Sequence, residues 1–145
     1  MQDPQGIRFS NQEVLPLFPT MVWKWQLDPT THEPLNAKIM HILNGKTADA
    51  PPLDPGGMWQ TDHRFHKHEG MELFCNMLQG SVSGVLQSLK VEHSGFEITG
   101  CWANISGPAA PHKMHTHPNN YLSGVYYVKT QPQANSIHFL TPDNK

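Results

Sequence analysis

The hydrophobic repeat changes period near residue 95, and this change restricts the fold more than any other feature. Before it, apolar residues recur every three or four positions. Met71, Phe74, Met77, Leu78, Val82, Val85, Leu86 and Leu89 form one stripe and predict a helix over 71–89. Leu35, Ile39, Ile42 and Leu43 repeat in the same way, with Gly45 as a stop signal. After residue 95, apolar and polar residues alternate, which predicts strands over 96–105, 121–128 and 136–140. Helices first and strands later imply an α+β, mainly β fold with the helices packed on one face of an antiparallel sheet. Gly80 and Gly84 each weaken the long helix by about 1 kcal/mol relative to Ala, which suggests close approach to that sheet. Gly124 suggests close strand packing.

The rest of the chain is less regular. Residues 1–12 read as a frayed polar lead. Residues 14–27 are rich in β-formers, with Pro16 and Pro19 reducing the first half to an edge or lead-in. Asp28-Pro29 and Glu33-Pro34 mark a turn over 28–34. Residues 46–70 carry Pro51-Pro52 and Asp54-Pro55-Gly56-Gly57 and predict a long irregular loop, either functional or a cover. Trp59 is expected to pack that loop down, with capping a substrate as its other reading.

Charge and length narrow the classes. With 10 Lys+Arg against 12 Asp+Glu over 145 residues, the formal charge is −2 and no basic block exists. That balance argues against electrostatic binding of nucleic acid or a membrane surface. No apolar run approaches the roughly 18 residues of a transmembrane helix, and no signal peptide is evident. Two cysteines, Cys75 and Cys101, are too few for a disulfide framework, so a reducing cytoplasmic setting is expected. Both read as small core residues, since no nucleophile partner pattern accompanies them. The length suits a single domain, residues 1–145.

Ten histidines direct attention to metal chemistry. The densest stretch, His112-Lys113-Met114-His115-Thr116-His117-Pro118, lies between two predicted strands. Positions i and i+2 of an extended chain point the same way, so His115 and His117 can offer two imidazoles to one point. Neutral imidazole suits Fe, Zn, Cu or Ni, although a solvated loop accounts for the same spacing. His63, His66 and His68 form a second cluster, read as a solvated loop or a second metal site. His112 is expected to be exposed. No phosphate-binding glycine motif is present.

Trp102-Ala103-Asn104-Ile105, Gly107, His115-Thr116-His117-Pro118-Asn119, Leu122-Ser123-Gly124-Val125-Tyr126-Tyr127-Val128 and Ile137-His138-Phe139-Leu140-Thr141-Pro142 together resemble the Fe(II)/2-oxoglutarate-dependent oxygenases. The nearest likeness is to a marine bacterial and phage branch with the pattern W-x-N, H-x-H-P and S-G-V-Y-Y-V. Leu17-Phe18-Pro19-Thr20 and Gly57-Met58-Trp59-Gln60-Thr61 resemble it more loosely. The resemblance implies a double-stranded β-helix (jelly roll) with helices packed on its outer sheet, this chain forming the N-terminal and central part. It implies Fe(II) as cofactor, 2-oxoglutarate as cosubstrate, and hydroxylation of a substrate left open: a protein side chain, a nucleobase or a small metabolite.

Roles follow position by position. His115 matches the first histidine of the iron motif H-x-D/E, and His117 falls where that motif has its carboxylate. Tyr127 falls where related enzymes carry a tyrosine that hydrogen-bonds 2-oxoglutarate, and Asn104 lies near another polar position lining the cosubstrate pocket. No catalytic acid or base is assigned. The family also uses a second iron histidine and a basic residue on a late strand, whereas 145 − 117 = 28 residues follow His117. The expectation is therefore a C-terminally truncated jelly roll with little 2-oxoglutarate turnover of its own. Its free sheet edges would be available for homo-oligomeric contacts. His138 reads as a surface or pocket-lining residue, with replacement of the distal ligand as its other reading. Two other functions stay open: a non-catalytic jelly-roll binding or structural module, and a cupin-like metalloenzyme that does not use 2-oxoglutarate.

Overall fold

The structure, a computed structural model, describes residue 13, residues 19–131 and residues 136–140. The polar lead at 1–12, the lead-in at 14–18 and the tail at 141–145 lie outside the described residues. Among those described, the element order is helix α1 (Pro29–Lys46), strand β1 (Met58–Gln60), a 3-10 turn (Phe65–Lys67), helix α2 (Glu72–Ser88) and strand β2 (Asn104–Ser106).

Helix α1 starts six residues before the apolar spacing does, inside the stretch expected to be a turn. Asp28 is the N-cap: its carboxylate accepts from the Thr30 amide at 2.9 Å and from the Thr30 hydroxyl at 2.7 Å. Pro29 follows where a missing N–H costs nothing, because first-turn amides have no intrahelical partner. Pro34 lies inside the helix and removes one ladder bond. Leu35, Ile39, Ile42 and Leu43 are buried, as their spacing requires.

Helix α2 agrees with the prediction to within a residue at each end. Glu72 in its first turn accepts from the Gly70 amide at 3.1 Å. Backbone N–H groups of Glu72 itself and Gly70 hold that carboxyl below its ordinary pKa. At the other end Lys90 adopts φ 54°, and the Val91 amide reaches back to the Leu86 carbonyl at 2.9 Å. That is the left-handed helix stop usually built on glycine.

The core joins Leu35, Ile39, Ile42 and Leu43 of α1 to Phe65, Met71 and Phe74. Met77, Leu78, Trp59, Cys101, Ala103, Ile105, Tyr126 and Val128 pack around it. Trp59 thus packs the loop down as expected. Among the described residues nothing stands within 4 Å of where a Cβ of Gly80 or Gly84 would be, so no close approach is seen there. Gly124 is equally open, and no described residue packs closely on it as expected of a strand there.

The sheet departs most from expectation. It has two strands, β1 and β2, antiparallel with Met58 opposite Ser106, Trp59 opposite Ile105 and Gln60 opposite Asn104. β1 lies inside the stretch expected to be irregular. Hydrogen bonds extend the pairing beyond the strands: Thr61 N to Ala103 O (3.0 Å), Cys101 N to His63 O (3.0 Å) and Phe65 N to Cys101 O (3.1 Å). Buried Thr61 completes this seam by accepting the Ala103 amide on its hydroxyl at 2.9 Å. Gly107 allows the turn before β1 to close on β2, since a Cβ there would stand 2.7 Å from the Asp54 carbonyl oxygen. Residues 121–128 and 136–140 form no ladder, in contrast to the strands predicted for them. Residues 121–128 are held by α1 instead: Asn36 donates to the Val128 carbonyl at 3.0 Å and accepts the Tyr126 hydroxyl at 2.7 Å. The described part is therefore α+β, with two helices and one two-stranded sheet.

Candidate metal centre

His115 and His117 converge. Their Nε2 atoms are 3.1 Å apart, with the rings nearly perpendicular at 84°. The second nitrogen of His115, Nδ1, lies 2.9 Å from the Lys113 carbonyl. A carbonyl only accepts, so Nδ1 carries the proton and Nε2 keeps its lone pair. His117 Nε2–H therefore donates to it. The whole stretch 111–120 is exposed, and its backbone joins no ladder.

The 3.1 Å separation is close to the spacing of two cis nitrogen donors on one metal. Nitrogens about 2.1 Å from a shared first-row ion at a right angle stand about 3.0 Å apart. The carbonyl behind His115 is the usual partner of a ligating imidazole, fixing its tautomer and orientation. Among the described residues no group of three or more His, Cys, Asp or Glu side chains converges, so the donor set here is these two nitrogens.

The other candidates separate from the pair. Asn104 sits in β2 opposite Gln60, exposed. Tyr127 is 49% exposed, on the side of its segment away from α1. Neither shares a hydrogen bond with either imidazole among the described residues. The neighbouring Tyr126 is the tyrosine held by the fold: it meets Phe74 edge-on, and burial raises its phenol pKa so that it stays a donor to Asn36. His112 is exposed and stacks on His115 with centroids 5.0 Å apart. His138 is exposed and bonds Ser136 at 2.8 Å, in keeping with a surface role.

The second histidine cluster does not converge. His63 stacks on Trp102, His68 bonds the Glu69 carbonyl at 3.2 Å, and His66 turns inward. Among the described residues His66 Nδ1 is buried without a partner, and burial, then Lys67 and Arg64, push its pKa down. Cys75 donates to the His66 carbonyl at 3.3 Å. Burial pushes both thiols up, which keeps them protonated and inert, as expected of core cysteines. Trp102, which the resemblance quoted but gave no role, lies between His63 and His117.

Residues 100–145 match the sequence model of a family described as "Putative 2OG-Fe(II) oxygenase". Over residues 100–145 the sequence is similar to that family. No curated protein and no solved structure matches the chain. All four residues assigned to the oxygenase site by resemblance, Asn104, His115, His117 and Tyr127, fall within the matched stretch. Trp102 does as well. No helix among the described residues is long and apolar enough to cross a membrane.

Proposed function

We propose that this chain carries the first part of the iron site of an Fe(II)/2-oxoglutarate-dependent dioxygenase, a hydroxylase built on a jelly roll. The observation that carries the reading is the 3.1 Å approach of His115 Nε2 and His117 Nε2, inside the stretch that matches the oxygenase family. Fe(II) held by His115 and His117 would supply oxygen activation, one oxygen atom of O2 going to a substrate C–H bond and the other to the succinate formed as 2-oxoglutarate loses CO2.

The chain's own residues contribute binding and orientation. The Lys113 carbonyl holds the His115 proton on Nδ1 and so presents Nε2 as a ligand. For both nitrogens to bind one ion, the His117 proton must move from Nε2 to Nδ1, because the metal takes neutral imidazole through its lone pair. Tyr127 and Asn104 are assigned to 2-oxoglutarate by resemblance. Among the described residues neither bonds an imidazole of the pair, which favours a second reading, a cupin-like metal site that does not use 2-oxoglutarate.

Anaerobic titration separates the two. In the first reading, Fe(II) and 2-oxoglutarate together produce a visible charge-transfer band that neither gives alone, and His115→Ala removes it. Fe(II) binding that depends on His115 but ignores 2-oxoglutarate supports the second reading. Binding that ignores His115 contradicts both.

A further inference from the structure

Trp102 is flanked by two residues that pack against the core, Cys101 and Ala103, but it is not itself packed there. Alternation turns it to the opposite side of the segment. On that side it touches two imidazoles. His63 stacks on it with centroids 4.5 Å apart and planes 23° apart, and His117 meets it at 6.0 Å and 42°. Its backbone is fixed on both sides by the bonds that join Cys101 and Ala103 to residues 61–65. His63 is fixed too: its carbonyl accepts the Cys101 amide, and its Nε2 lies 3.3 Å from the Gln60 side-chain nitrogen.

The two imidazoles of the pair are held differently. His115 has the Lys113 carbonyl behind it. Among the described residues His117 Nδ1 has no hydrogen-bond partner, and its loop is exposed. Orienting such a ring requires a contact with its face or edge, and the indole is the fixed surface beside it. Aromatic contacts of this kind are worth about 0.5–1.5 kcal/mol beyond area burial.

We propose that Trp102 is a positioning residue for the metal pair. Its indole, backed by His63, holds the His117 ring in the orientation that faces His115. The inference rests on the proposed metal role of His115 and His117. It gives His63 a function other than metal binding, and it links the 58–65 segment to the centre.

The test uses Zn(II) as the probe and histidine-ring NMR of the full chain. In the metal-free protein the Trp102 ring current shifts the His117 ring protons. Trp102→Ala removes that shift and weakens Zn(II) binding by about tenfold, the lower range for loss of a residue that orients a ligand. Trp102→Phe restores most of the affinity. His63→Ala, at an exposed position, weakens binding by about threefold. The amide signals of α1 and α2 stay in place throughout, which loss of a merely structural residue would not allow. Zn(II) affinity within about twofold of the parent in Trp102→Ala overturns the proposal, whatever the ring shift does. If Trp102→Ala does not fold, His63→Ala decides: unchanged affinity and unchanged His117 signals overturn it. His115→Ala is the separate control. If that variant still binds Zn(II) like the parent, the metal reading itself fails, and the metal-free ring shift still reports whether Trp102 touches His117.

Discussion

Asn36 does for residues 121–128 what a neighbouring strand would have done. One side chain satisfies the Val128 carbonyl and the Tyr126 hydroxyl. Removing one partner of such a bond leaves the other group short of a partner in a half-buried place. Tyr126→Phe is expected to lower stability by about 1 kcal/mol, and Asn36→Ala by about 2 kcal/mol because two bonds go. Urea unfolding of the two variants and the parent checks this. A midpoint for Asn36→Ala no lower than that of Tyr126→Phe would show that only the tyrosine bond matters. The V-Y-Y-V stretch also shows what alternation does and does not reveal. Tyr126 and Val128 face inward and Tyr127 outward, in the expected order. What satisfies the backbone between them depends on a residue 92 positions away, which no local pattern shows.

At the scale of elements, both helices were legible because each buries a stripe spaced at three and four. The start of α1 was not, because Asp-Pro marks a turn and a helix N-terminus equally well. The Asp28 bond to Thr30 decides it in favour of the helix. Those bonds, side chain first and backbone second, lower the Asp28 pKa. A lowered carboxyl pKa contributes stability that is complete above the ordinary Asp value of about 3.9 and is lost as pH falls through the folded value. Acid unfolding should therefore be less steep in Asp28→Ser, which keeps a cap without the charge, than in the parent. Equal pH profiles would remove Asp28 from the account. In α2 the glycines have no close neighbour among the described residues, so the residue type costs helix propensity and gains no packing there. Gly80→Ala and Gly84→Ala should each stabilise by about 0.5–1 kcal/mol. Thermal unfolding of the double variant reads the sum. A lower melting temperature would mean that these positions have a neighbour that needs the space.

At the scale of the molecule, the seam from residue 58 to residue 65 against 101–106 ties the helical core to the histidine loop. β1 was hidden because Met58-Trp59-Gln60 is too short to show a period and lies among turn residues. β2 was visible as the end of a longer alternating run, of which Asn104 and Ile105 pair, joined by Ser106 just beyond it. The H-x-H spacing showed that two imidazoles could meet, and the Lys113 carbonyl and the Trp102 ring show how they are held. These contacts come from a loop carbonyl two residues away and from a neighbouring segment, so residue spacing carried no sign of them. The central claim is that His115 and His117 share one metal ion. Anaerobic calorimetric titration of Fe(II) into the parent chain, His115→Ala and His117→Ala tests it most directly. The account predicts weak binding of one ion per parent chain and none in either variant. Equal binding by all three proteins would contradict it.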